Sequence, residues 1–212
     1  MSTVTSGLKQ AADFICGLLL FLAVFNAQAA LNRPLSEDGR PTEIEAIGAV
    51  LDVDRINSAE QNFTLNLYMV FRWSDPRLAH DSAGNIVRGL SDVWNPRLTI
   101  INTQRYWENT RDEVEVSPDG IVTYRLHVFG DFSQPLDLRD FPMDNHVFEV
   151  PVVAAGYRPH EVVFEPDPRI DSFMAERLSV ADWKVGTMRG DAREVTLAND
   201  LKLPGFVFSF EA

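Results

Sequence analysis

The chain has 212 residues, 45% apolar and 24% charged, which is the composition of one globular domain with a sizeable core and excludes a disordered or fibrous protein. Its net charge of −12, with an isoelectric point near 4.7, repels nucleic acid and anionic lipid on average, and solubility alone accounts for it. A single cysteine, Cys16, excludes a disulfide framework and any cysteine-based metal site.

In chain order, residues 1–29 stand apart. Lys9 precedes an apolar run from Phe14 to Phe25, which closes on Ala27-Gln28-Ala29. This is the layout of a signal peptide cleaved after Ala29, leaving an exported domain of residues 30–212. A membrane-crossing helix needs about 20 apolar residues, so the alternative is an unusually short anchor. Cleavage removes Cys16, and a bacterial periplasm suits a cysteine-free product because it permits disulfides without requiring them.

The clearest local signal follows: Phe63, Leu65, Leu67, Met69, Phe71 and Trp73 are apolar at every second position, with Thr64, Asn66, Tyr68 and Arg72 between them. Period two predicts a strand with one buried face. Shorter segments of the same kind are Ala49–Asp54, Glu113–Val116, Ile121–Phe129, Val147–Val153, Glu161–Glu165, Val180–Val185 and Phe206–Phe210, separated by turn signals such as Ser117-Pro118-Asp119-Gly120. Many short strands at this spacing predict an all-β, two-sheet antiparallel sandwich. Helical periodicity is nearly absent, Ser172–Leu178 being the best candidate, and nothing after Ala29 is long enough to cross a bilayer as a helix.

Three stretches then carry a resemblance. Tyr68 through Leu78 (YMVFRWSDPRL), Trp94-Asn95-Pro96 followed by Ile101-Asn102, and Gln134 through Asp144 (QPLDLRDFPMD) together resemble, in order and spacing, the extracellular domain of the Cys-loop receptor superfamily. The two half-cystines that close the Phe-Pro-x-Asp loop in animal receptors match Gln134 and Phe148 here, so the disulfide is absent, as in the prokaryotic branch. The resemblance implies an immunoglobulin-like sandwich of about ten strands. It also implies a homopentamer binding a small molecule or protons between neighbouring subunits, and gating a membrane pore domain that this chain does not contain.

The resemblance places candidate ligand-binding residues at Tyr68, Ile101, Asn102 and Tyr157. The aromatic box of the amine-binding members is not kept: Ile101 stands where an aromatic is usual, Tyr157 only partly replaces a tryptophan expected near Ala155, and Met188 to Gly205 contains no aromatic residue. An acetylcholine-like cation, which aromatic faces would hold, is disfavoured. Thr123, Arg125 and His127 alternate onto one strand face, where Arg125 and His127 suit a carboxylate and the alternative is a solvated strand face. His127 also raises a proton-sensing reading.

For coupling to a pore the resemblance implies Asp54–Glu60 and the 134–144 loop, with Glu60, Asp137, Arg139 and Asp144 as the charged candidates. Phe141 and Pro142 form the loop's centre, with a cis bond expected before Pro142; Arg139 and Asp144 alternatively staple their own loop. Trp73 and Trp94 are assigned to the core.

Two other readings compete. A periplasmic carbohydrate- or small-molecule-binding sandwich would use Trp107 beside Tyr106 as a stacking platform. An enzyme is not indicated: His80, His127, His146 and His160 form no short metal motif, and Gly-x-Ser-x-Gly, a P-loop and His-Glu-x-x-His are all missing. No cofactor is expected.

Overall fold

A computed structural model of the chain describes residues 31–35, 38–136 and 145–212. Twelve strands run in order β1 (Thr42–Asn57), β2 (Asn62–Ser74), β3 (Ile86–Gly89), β4 (Leu98–Ile100), β5 (Thr103–Glu108) and β6 (Glu113–Val116). They continue as β7 (Ile121–Ser133), β8 (Val147–Ala154), β9 (Val162–Pro166), β10 (Phe173–Met174), β11 (Met188–Thr196) and β12 (Lys202–Glu211). Eight strands form one sheet, ordered β10-β1-β2-β7-β6-β3 with β5 on β7 and β9 on β1, and β11-β12-β8-β4 form the second. The all-β two-sheet sandwich is therefore found. Its helical content among the described residues is three short 3₁₀ turns, and no described helix is long and apolar enough to cross a membrane.

The alternation in β2 works as its sequence predicts. Phe63, Leu65, Leu67, Met69 and Phe71 are fully buried, and Trp73 nearly so, while Tyr68 and Arg72 project from the opposite face. The paired strand β7 repeats the pattern, with Val122, Tyr124, Leu126 and Val128 facing inward. The second sheet answers with Phe148, Val150 and Val152 of β8 and Phe206, Phe208 and Phe210 of β12. Each such side chain contributes about 1.5–3 kcal/mol by leaving water, so this interlayer is the main source of stability in a domain without crosslinks. Trp73 and Trp94 meet edge to face at 5.7 Å, both buried as expected.

At Gly48 of β1 the larger sheet approaches the smaller one too closely for a side chain. A Cβ at Gly48 would lie 2.5 Å from the Phe208 ring. Gly48→Ala is expected to destabilise by about 1–3 kcal/mol, because two sheets built around Phe208 have no slack to absorb a methyl. Urea unfolding of the variant against wild type checks this, and an unchanged midpoint would contradict the packing. The expected turn at Ser117–Gly120 is also present, with Gly120 at φ +84 and its N–H donating to the Ser117 carbonyl at 2.9 Å.

Three features differ from the sequence reading. The sheet is not purely antiparallel: β9 and β10 both run parallel to β1 along its outer edge, at Thr42–Ala46 and at Ala49–Val50. Second, Val180–Val185 is not a strand and Ser172–Leu178 is not a helix. Both lie in an extended strap, residues 167–187, that is tied to β1 mostly one group at a time. Ala175 N–H donates to Val50 O and Val180 N–H to Val53 O, both at 2.9 Å, while Ser179 donates its N–H (2.7 Å) and hydroxyl (2.6 Å) to the Asp52 carboxylate. Leu178, Val180, Trp183 and Val185 pack against the core from this strap, which produces apolar periodicity without a ladder. Third, β3, β4, β5, β10 and β11 carry the count beyond ten. Only Met188 is buried among all their residues, so burial left no alternation to read.

Candidate functional site

The outward face of β2 and β7 gathers four of the seven candidate ligand-binding residues, Tyr68, Thr123, Arg125 and His127. Antiparallel register sets Tyr68 opposite His127, Val70 opposite Arg125 and Arg72 opposite Thr123. The Tyr68 and His127 rings meet at 6.0 Å and 63°. His127 is held from two directions: its backbone N–H donates to Thr110 Oγ1 at 2.7 Å, and its Nε2 lies 2.7 Å from Asn66 Oδ1. An amide oxygen only accepts, so the contact assigns the proton to Nε2. Arg125 Nη1 pairs with Glu115 Oε1 at 2.9 Å, brought there by the pairing of β6 with β7.

Tyr68, His127, Arg125 and Glu115 line a shallow cleft of about 230 Å³, closed by Thr110, Arg111 and Val87. It offers a phenol, an imidazole, guanidinium groups and carboxylates at one opening, groups whose chemistry suits hydrogen bonds and ion pairs to a small charged molecule. Thr123 shares the face but lies outside the cleft lining. At the end of β5, exposed Glu108 accepts from the hydroxyl of Tyr124, an inward residue of β7, at 3.4 Å. Burial, and then Asp112, push the Glu108 carboxyl up, against the lowering effect of that bond. Burial also pushes the Tyr124 phenol up.

The other candidates lie elsewhere. Tyr157 follows β8 of the smaller sheet, where its hydroxyl accepts from Trp94 Nε1 at 2.8 Å and the two rings meet edge to face at 5.6 Å. The segments around Trp94 and Tyr157 are joined by Ala155 N–H to Arg97 O at 3.0 Å. Ile101 is exposed in the turn between β4 and β5. Asn102 uses both amide hydrogens on backbone carbonyls, Ser133 at 3.2 Å and Glu149 at 2.8 Å, and so bridges the two sheets. One copy of the chain thus does not bring Tyr68, Asn102 and Tyr157 to a single opening. Glu60 is exposed in the β1–β2 turn, with its N–H donating to Asn57 Oδ1 at 3.1 Å. Asp137, Arg139, Phe141, Pro142 and Asp144, and the expected signal segment 1–29, lie outside the described residues.

Comparison with known proteins decides the family. The neurotransmitter-gated ion-channel ligand binding domain matches residues 20–192. The chain belongs to this family. Among curated relatives, the gamma-aminobutyric acid receptor subunit rho-1 of Mus musculus is 24% identical over 171 residues, covering 76% of this chain and 34% of that subunit. The chain therefore spans about a third of the length of that relative. This is a family of ion-channel ligand-binding domains, not of enzymes. Among the described residues, no three His, Cys, Asp or Glu are placed to hold a metal ion.

Within this ligand-binding domain, Asn66, Thr110 and Glu115 are the cleft partners that sequence reasoning missed. Each is a polar residue on a strand or loop whose pairing with β7 only the fold reveals. Trp107 is exposed, as a carbohydrate platform requires, but its ring stacks on Phe129 at 6.0 Å and 30°.

Proposed function

We propose that this ligand-binding domain senses a small molecule at a site shared between two copies of the chain, in a ring of five on the outer face of the cell membrane. Binding at that site gates ion flow through a pore domain, and catalysis has no part in it. The observation that carries the reading is the division of the candidate side chains: Tyr68, Arg125 and His127 open onto one cleft, while Tyr157 sits on the other sheet beside Trp94. A second copy supplying its Tyr157 side completes the set. The residue types favour a zwitterion over a quaternary amine. Arg125 and Glu115 present both charges in one cleft, and no aromatic residue stands between Met188 and Gly205. The relative's name supports this choice, since γ-aminobutyric acid is an amino acid.

Titration calorimetry of the full chain with γ-aminobutyrate and a panel of amino acids tests the proposal. Binding is expected to weaken at least tenfold in Arg125→Ala and in Tyr68→Ala. It is also expected to fade as the protein is diluted, because the site needs two copies. Concentration-independent binding to a monomer, indifferent to both substitutions, would favour the stand-alone small-molecule binder instead.

A further inference from the structure

At the end of the sandwich where β1 turns into β2, two glutamines make contacts that neither the family nor the cleft explains. We propose that Gln61 and Gln134 form an amide clasp that ties the β1–β2 turn, the end of β7 and the first residues of β8 into one unit, a positioning device in place of a covalent crosslink. Gln61 holds the turn in a left-handed conformation, φ 56, which a side chain other than Gly or Asn rarely adopts. From there its carbonyl accepts from Gln134 N–H at 2.9 Å and its Oε1 accepts from Leu136 N–H at 2.6 Å. Its own amide nitrogen donates to Ser58 O at 3.2 Å, so every polar group of the side chain is engaged.

Gln134 continues the chain of contacts into the other sheet. Its Nε2 donates to Val147 O at 2.5 Å and its Oε1 accepts from Glu149 N–H at 2.8 Å. The orientation of the amide follows from its partners, because a carbonyl can only accept and an N–H can only donate. Residues 147 and 149 are two apart on β8, so these backbone groups point to the same edge of the strand. On that edge β4 pairs only with Val152–Ala154, and Gln134 together with Asn102, which donates to Glu149 O, satisfies the stretch that no strand covers. Between the clasped residues, Phe148 is fully buried against Phe63, Phe210 and Trp183. The clasp thus fixes the backbone on either side of a core aromatic, and one amide links the hairpin of the larger sheet to the smaller sheet. A role for this unit in coupling rests on the sensing function proposed above; the clasp itself does not.

The test is amide hydrogen exchange by NMR on the full chain, comparing wild type, Gln134→Met and Gln134→Glu at matched pH. Methionine keeps the length and removes both hydrogen bonds, so the Glu149 amide should exchange at least tenfold faster while the Phe71 amide in mid-β2 keeps its wild-type rate. With glutamate, one carboxylate oxygen still accepts from Glu149 N–H but the other faces the Val147 carbonyl in place of a donor, so at pH 8 exchange at Glu149 should lie between wild type and the methionine variant. Below the pKa of the introduced carboxyl, about 4.3 for an unperturbed glutamate and higher where the protonated form is hydrogen-bonded, the acid can donate to Val147 O and wild-type protection should return. A purely steric role for Gln134 would give no such recovery. Wild-type rates at Glu149 in Gln134→Met, or a Gln134→Glu defect that persists at low pH, overturns the clasp. Ligand binding does not enter this readout, so failure of the clasp and failure of the sensing function are separable.

Discussion

Phe63→Ala is expected to lower the unfolding free energy by about 3–5 kcal/mol, the range for removing a large aromatic from a close-packed core. Phe63 is fully buried, and its ring meets Phe132 at 5.6 Å, Phe148 at 5.0 Å and Phe210 at 6.0 Å. Those partners come from β7, β8 and β12, so one side chain joins both layers of the sandwich. Collapse around the void is costly because each neighbour is itself held in a hydrogen-bonded strand. At roughly 2–4 °C per kcal/mol for a domain of this size, the thermal midpoint should fall by about 6–20 °C. Calorimetry or urea unfolding decides the matter, and a loss below about 1 kcal/mol, the ordinary effect of a point substitution, would mean that this junction does not hold the layers together.

The second large effect is expected at Asp167. Its side chain is almost wholly buried, paired with Arg72 on the outer face of β2 and with Arg169, whose Nε, Nη2 and backbone N–H reach the same carboxylate at 2.9, 3.2 and 2.9 Å. Arg169 in turn pairs with Glu45, and Asp167 N–H donates to Ala46 O at 3.0 Å, so this carboxylate fastens the start of the strap to β1. Asp167→Ala strands Arg72, which keeps only a quarter of its side-chain exposure, and should cost about 3 kcal/mol, the low end for breaking a buried ion pair. Burial by itself pushes the Asp167 carboxyl up, but the Arg169 hydrogen bonds and the Arg72 and Arg169 charges outweigh it and hold it below the usual range. A carboxyl lowered by folding contributes stability that is present above its unfolded value, about 3.9, and is lost as pH falls through the folded value. The gap between wild type and Asp167→Ala should accordingly be widest near neutrality and narrow below about pH 4. A gap of constant size down to strongly acid solution would show that the carboxylate is not charged in the fold.

Legibility followed burial. Alternation in β2, β7 and β12 was readable because one side of each strand packs against the opposite layer, and it placed Trp73 at the end of the β2 stripe; Trp94, assigned to the core without such a stripe, is buried as well. It failed for β5 and β11, where nearly every residue meets solvent and the strand exists through its hydrogen bonds to β7 and β12. It misled at Val180–Val185, where apolar side chains reach the core from a segment without a ladder. Among candidate site residues, Tyr68, Arg125 and His127 were placed on one face by the two-residue period of β2 and β7. That Asn102 bridges the sheets with its amide, and that Gln134 grips β8 with its own, was invisible because the partners are backbone groups far along the chain.

The sequence by itself determined the all-β class, the identity of the buried stripe and, through three spaced motifs, the family, since these depend on local period and on residue order. Only the tertiary structure decided which strand lies beside which. Register between β2, β7 and β6 set Tyr68 against His127 and carried Glu115 to Arg125, and the turn of the chain back along β1 made two parallel pairings that no local pattern announces. The physical reason is that a strand's faces are fixed by its own residues, whereas its neighbours are chosen by packing and hydrogen bonding between segments far apart in the chain.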